Sequence, residues 1–137
     1  MIITICGSMQ FHDEMLSYKE TLEASGYTVY IPSGAYDITK NEAYKETDEE
    51  KVLVKVEHDV IREHFGYIQK SDAILILNFE KNGIPNYIGG NTFLEMGLAF
   101  WLGKKVFVLY PIPSMDYRTE MHAMQPIVID GDLGKIG

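Results

Sequence analysis

Five short apolar runs, rich in β-branched residues and separated by stretches of helical spacing, constrain this chain more than any other feature. The runs are 2–6 (IITIC), 27–31 (YTVYI), 72–78 (DAILILN), 105–110 (KVFVLY) and 126–129 (PIVI). They are nearly continuous in hydrophobicity rather than alternating, as strands buried on both faces must be. Between them, 10–25 carries Phe11, Met15, Tyr18, Leu22 and Ala24 at helical intervals and stops at Gly26. Residues 50–70 carry Leu53, Val56, Val60, Ile61, His64, Phe65, Tyr67 and Ile68 on one stripe. Residues 92–102 (TFLEMGLAFWL) are almost wholly apolar and end at Gly103, and a short helix is expected near 117–123.

Strand alternating with helix predicts an α/β domain: a Rossmann-like, flavodoxin-like doubly wound parallel sheet of about five strands, helices on both faces. The first βαβ unit predicts a right-handed crossover. At 137 residues the chain fits one domain, 1–137. The acidic stretch 34–50 has no sustained period and reads as a mobile loop or a loop with a short helix, of the kind that often serves as a lid.

In such a sheet, ligands bind where the strands end at their carboxyl side. Those ends carry Cys6-Gly7-Ser8, Ile31-Pro32-Ser33, Asn78 with the Gly/Pro/Asn-rich loop behind it, and Tyr110-Pro111. Neither a dinucleotide fingerprint nor a phosphate-binding P-loop is present, so no cofactor of those classes is expected. The net charge of −8 disfavours a nucleic-acid polymer or an anionic membrane as partner. One cysteine, Cys6, excludes an internal disulfide and suits a reducing compartment. The first residues show neither a leader nor a membrane span, and a cytoplasmic location is expected. Four histidines (12, 58, 64, 122) lack metal-ligand spacing, so no metal site is expected.

Glu95 is the most informative side chain. It interrupts the most apolar helix of the chain, where an unpaired carboxylate is costly and implies a partner, a shifted pKa or a chemical task. A carboxylate there could attack a sugar anomeric carbon. Thr92-Phe93-Leu94-Glu95 also spells a capping box, in which Glu95 would only tie back to the Thr92 backbone. Gly89-Gly90-Asn91-Thr92 opens the helix and could accept a phosphate or sugar hydroxyl, or could be a plain capped turn. Gly7-Ser8 is a second anion-ready turn, with Ser8 as a simple N-cap the alternative. His64, on an apolar stripe, is either a hydrogen-bonded core residue or a proton carrier. Asp59 and Glu63, beside His58 and Arg62, read mainly as a solvated face.

Taken together, Ile3-Thr4-Ile5-Cys6-Gly7-Ser8, the strand Asp72-Ala73-Ile74-Leu75-Ile76-Leu77 after a long helix, and Gly90-x-x-x-x-Glu95-x-Gly97-x-Ala99 resemble the nucleoside 2-deoxyribosyltransferase-like superfamily. That superfamily includes the 2′-deoxynucleoside 5′-phosphate N-hydrolases, and the resemblance spans nearly the whole chain. It implies a Rossmann-like fold, action on the N-glycosidic bond of a nucleoside or nucleoside 5′-monophosphate, and a homo-oligomer whose sites borrow residues from a neighbouring subunit. By resemblance Glu95 is the nucleophile, Gly7 and Ser8 contact the sugar or its phosphate, and Gly89, Gly90, Asn91 and Thr92 hold the 5′ end. Asn78, at a strand end, joins the binding residues. His64 stands where the family usually has an aspartate, and Ile5 where it often has an aromatic. His64 is then the group that assists departure of the base. A nucleotide-binding module without turnover is the second reading, motivated by those two departures. A third treats Leu98, Phe100 and Trp101 as a subunit interface without ligand.

Overall fold

The computed structural model describes residues 1–32 and 59–137. The expected loop at 34–50 and the start of the 50–70 helix, with Leu53 and Val56, lie outside the described residues. Five parallel strands form one sheet: β1 (Ile2–Gly7), β2 (Thr28–Tyr30), β3 (Ala73–Leu77), β4 (Lys105–Val108) and β5 (Ile127–Val128), in the order β2-β1-β3-β4-β5. The helices are α1 (His12–Ala24), α2 (Val60–Lys70), α3 (Gly90–Trp101) and α4 (Arg118–Ala123), with 3₁₀ turns at Met9–Phe11 and Leu133–Lys135. The expected doubly wound α/β sheet is therefore present.

Alternation along β1 sorts the helices into two layers. Ile3 and Ile5 face one side and join Met15 and Leu22 of α1, with Leu75, Leu77 and Phe107. Cys6 faces the other side and joins Ile68 of α2, Met96 and Ala99 of α3, and Met121 of α4, with Ile74, Ile76, Val106 and Val108. Every residue of β3 is buried, as a central parallel strand requires.

Two polar ties set how α2 meets β1. Thr4, fully buried, has its Oγ1 2.6 Å from Ser71 Oγ, and that hydroxyl also donates to the Tyr67 carbonyl at 2.8 Å. Asp72 accepts the Ile2 N–H at 2.7 Å, locking the start of β3 to the start of β1. Thr4 and Cys6 are two residues apart on one strand and point to the same face. The tie at Thr4 thus aligns α2 so that His64, two helical turns before Ser71, comes level with Cys6.

The strand order reverses between β1 and β3, since β2 lies outward of β1 and β4 outward of β3. That is the topological switch point, where the loops leaving two neighbouring strands diverge and open a crevice. The loops that leave it are Gly7-Ser8 after β1 and the segment 78–89 after β3.

Helix bounds differ from the expected ones at α2, which starts at Val60 because Asp59 holds the left-handed region at φ 48°, so the expected 50–70 helix does not run through that residue, and at α3, which starts at Gly90 with Gly89 as its N-cap. That displaces the capping box. Thr92 lies inside the first turn, and Glu95 is a turn further on, where no free terminal N–H remains for it to cap.

Candidate active site

Glu95 lies 8% exposed in α3, His64 6% exposed in α2, and Cys6 fully buried near the end of β1. The three side chains converge from three elements. Glu95 Oε2 stands 2.7 Å from His64 Nε2, and Cys6 Sγ stands 3.5 Å from the same nitrogen. The approach of Oε2 to the ring is oblique, so it is a close polar contact rather than an aligned N–H···O bond. Among the described residues, His64 Nδ1 is buried without a hydrogen-bond partner. The ring plane is held by Tyr67, edge-on at 6.2 Å between centroids, which itself stacks on Tyr30 at 4.8 Å.

This triangle is not a cysteine-histidine-carboxylate relay. A relay needs the thiol on one ring nitrogen and the carboxylate on the other. Here both address Nε2. Burial, and after it the negative charge of Glu95 and a hydrogen bond with it, push the Cys6 thiol well above its ordinary 9.0. The thiol is therefore neutral at physiological pH and unfit as a nucleophile.

The Gly7-Ser8 turn sits at the end of β1, across the switch point from the segment after β3. A β-carbon on Gly7 would lie 3.1 Å from the Leu77 carbonyl, so glycine is what lets the two strand ends approach. Ser8 caps the 3₁₀ turn, accepting the Gln10 N–H, which is the plain capping role. Its hydroxyl also receives Lys81 Nζ at 3.0 Å. Lys81 is positioned by a tight hairpin: Asn82 and Gly83 both have positive φ, and Lys81 and Ile84 exchange backbone hydrogen bonds. Asn-Gly is the signature of that turn. Lys81 also stands 5.3 Å over the Tyr87 ring. The sequence reading missed Lys81, although Asn82-Gly83 was the signal that fixes its place.

The four residues that open α3 are not equivalent. Gly89 is its N-cap and supplies no side-chain cap; Gly90 and Asn91 are exposed; Thr92 is buried. Asn78 is fully buried and its amide is committed to backbone. Oδ1 accepts the Tyr110 N–H at 2.9 Å, and Nδ2 donates to the Tyr110 carbonyl at 2.9 Å and approaches those of Pro111 and Asn86. It braces the ends of β3 and β4. Asp59 and Arg62 form an exposed ion pair 2.9 Å long, and Tyr67 donates to Glu63, in keeping with a solvated face. Ile5 points to the α1 side, away from Glu95.

With the geometry in hand, solved structures offer a comparison. This chain superposes on a 2-deoxyribosyltransferase from the psychrotolerant bacterium Bacillus psychrosaccharolyticus with a TM-score of 0.55 and 16% identity, over 80% of this chain and 72% of the other. It superposes on the CMP N-glycosidase BcmB of Clostridium botulinum with a TM-score of 0.51 and 12% identity, over 95% of this chain and 90% of the other. The fold is theirs. No protein-family model matches the sequence, and no curated protein matches it. The likeness therefore resides in the backbone, a five-stranded doubly wound parallel sheet of the kind the sequence pattern led us to expect. No described helix is long and apolar enough to cross a membrane.

Proposed function

We propose that this protein is an enzyme that cleaves or transfers at the N-glycosidic bond of a deoxynucleoside or nucleoside 5′-monophosphate, with Glu95 as the nucleophile. The observation that carries the reading is Glu95 itself. An acidic side chain is held inside the most apolar helix, against His64 and near Cys6 at the carboxyl end of β1. A carboxylate kept there without a capping role is a candidate for chemistry. Two structures that share the fold are named for a 2-deoxyribosyltransferase and a CMP N-glycosidase, which supports an N-glycosidic bond as the target.

In this reading a Glu95 oxygen bonds to C1′ as the C1′–N bond breaks through an oxocarbenium-like transition state. The base leaves with the bonding electron pair and takes up a proton. Water, or a second base, then attacks C1′ and releases the carboxylate. His64, with Nε2 turned to Glu95, orients the carboxylate and is the proton carrier closest to it. Gly7, Ser8 and the Gly89–Thr92 turn receive the sugar and its 5′ end. Lys81, a cation hydrogen-bonded to Ser8, favours a 5′-phosphate over a free hydroxyl. Asn78 supports the site by bracing the ends of β3 and β4.

We read the exposed apolar side of α3 as the contact with a second copy of the chain. Leu94 and Trp101, seven residues apart, lie on one strip of that helix and are 56% and 84% exposed, with Phe100 beside them at 53%.

Base release from a panel of deoxynucleosides and their monophosphates, followed by chromatography, tests the proposal. We expect turnover by the wild type and a loss of at least about a thousandfold in Glu95→Ala. Unchanged activity in that variant removes Glu95 as nucleophile. Tight nucleotide binding by calorimetry with no base released identifies a binding module on the same fold.

A further inference from the structure

We infer that Cys6, His64 and Glu95 form a binding site for a soft divalent cation of the zinc class. The inference does not rest on the glycosidic reading, since it uses only the donor set and its geometry. Sequence spacing predicted no such site because local ligand motifs were absent. The three donors come instead from β1, α2 and α3, brought together by the fold.

Sγ of Cys6, a ring nitrogen of His64 and a carboxylate oxygen of Glu95 all lie within 4.8 Å of one another. Thiolate, imidazole and carboxylate are the three ligand types that zinc takes. With metal–sulfur and metal–nitrogen bonds of about 2.3 and 2.0 Å, two tetrahedral ligands stand roughly 3.6 Å apart. The observed Sγ···Nε2 separation is 3.5 Å. The carboxylate oxygen, at 2.7 Å from Nε2, is closer than the roughly 3.3 Å such a sphere needs, and a small rotation of the Glu95 side chain opens that gap.

A second observation separates this cluster from an ordinary buried hydrogen-bond network. Glu95 Oε2 is buried and lacks an aligned hydrogen-bond donor, although Nε2 is within contact distance. Buried polar groups in folded proteins are normally satisfied. A carboxylate oxygen 2.7 Å from a ring nitrogen without an aligned bond to it is under-satisfied, and a cation between the three side chains would satisfy it. The thiol would release its proton to solvent as the sulfur–metal bond forms, so binding liberates one proton from Cys6. Three protein ligands leave a fourth position for water.

Occupancy would engage Glu95, so the same ion would inhibit any reaction that uses that carboxylate as nucleophile.

The test uses cobalt(II) as a spectroscopic stand-in for zinc, added to protein freed of metal by a chelator. We expect one cobalt per chain with a thiolate-to-cobalt charge-transfer band in the near ultraviolet. The band should vanish on adding one equivalent of zinc, and be absent in Cys6→Ser. His64→Ala should weaken cobalt binding at least about tenfold, as loss of a ligand does. Circular dichroism checks that each variant folds. Should Cys6→Ser not fold, alkylating Cys6 in unfolded wild type and refolding provides the same comparison. No charge-transfer band in the wild type overturns the site, and so does a band that survives in Cys6→Ser. Base release is read separately, so a protein without the band that still cleaves nucleotides refutes the metal site alone.

Discussion

His64 Nε2 lies 2.7 Å from Glu95 Oε2, across the gap between two helices, and both side chains are about nine-tenths buried. Neither residue is placed there by its own helix alone. Each comes from a separate helix that packs on the same face of β1, and the contact exists because Thr4 ties α2 to that strand.

The pair should therefore behave as one unit in stability. In a double-mutant cycle of His64→Ala and Glu95→Gln, read by urea denaturation, we expect a coupling of about 1–3 kcal/mol. Additive effects would show that the approach is incidental. A variant lacking only His64 should be the worse of the two, because it leaves the Glu95 carboxylate buried without its nearest polar neighbour.

Asn78 is expected to act on stability before activity. Asn78→Ala strips partners from the Tyr110 N–H and C=O at a fully buried position, and should cost about 1–3 kcal/mol. Asn78→Asp keeps the acceptor but sets a buried carboxylate against the carbonyls of Tyr110, Pro111 and Asn86, so its denaturation midpoint should lie at or below that of alanine. A midpoint unchanged in Asn78→Ala would show that β3 and β4 need no such brace.

At Gly89 the cost is steric. Its φ of −80° suits any residue, but a β-carbon would sit 3.1 Å from the Tyr87 ring, the ring over which Lys81 rests. Gly89→Ala should leave the thermal midpoint within a few degrees of wild type, since surface-level changes cost about 0.5 kcal/mol or less. It should raise KM for a monophosphate while leaving kcat nearly unchanged, because the displaced Tyr87 carries Lys81 away from Ser8. Equal losses in kcat and kcat/KM would place the effect in the chemical step instead.

Cys6 gives the pH dependence. Its thiol is held well above 9.0 in the folded chain, first by burial and then by Glu95. The unfolded chain loses this proton near pH 9 while the folded chain keeps it. The stabilisation is thus complete below that pH and is lost progressively as pH rises toward the folded value. Urea midpoints at about pH 8 and about pH 10 should therefore fall more steeply in the wild type than in Cys6→Ala. Tyr18, Tyr67 and Tyr117, also pushed upward, contribute the same background to both proteins. Parallel slopes would show that Cys6 is more solvated than its burial indicates.

Trp101 reports on association. It is the one tryptophan of the chain and is 84% exposed. If the α3 strip joins two copies, its emission should shift to longer wavelength on dilution, and Trp101→Asp should sediment as a monomer. Emission independent of concentration, with a monomeric wild type, removes the interface.

The sheet was legible because its physics is local. Runs such as Ala73–Leu77 must be buried on both faces, and the helical intervals between runs demand cover on both sides, so five β-branched segments lead to one parallel architecture. Glu95 was legible for a related reason: a carboxylate in the most apolar helix breaks the pattern of its surroundings. Its capping alternative was not decidable in sequence, since moving the helix start from Thr92 to Gly90 changes the role of every residue behind it.

What the chain order could not contain was the company Glu95 keeps. Cys6, His64 and Glu95 are separated by tens of residues and meet only because β1, α2 and α3 pack on one another, with Thr4 and Ser71 setting the alignment. Lys81 and Ser8 likewise meet only across the switch point. Hydrophobic periodicity determines which face of an element is buried, but not which distant side chain it is buried against. That second choice is made by packing, through contacts between residues far apart in the chain, and it is there that the chemistry of this protein was decided.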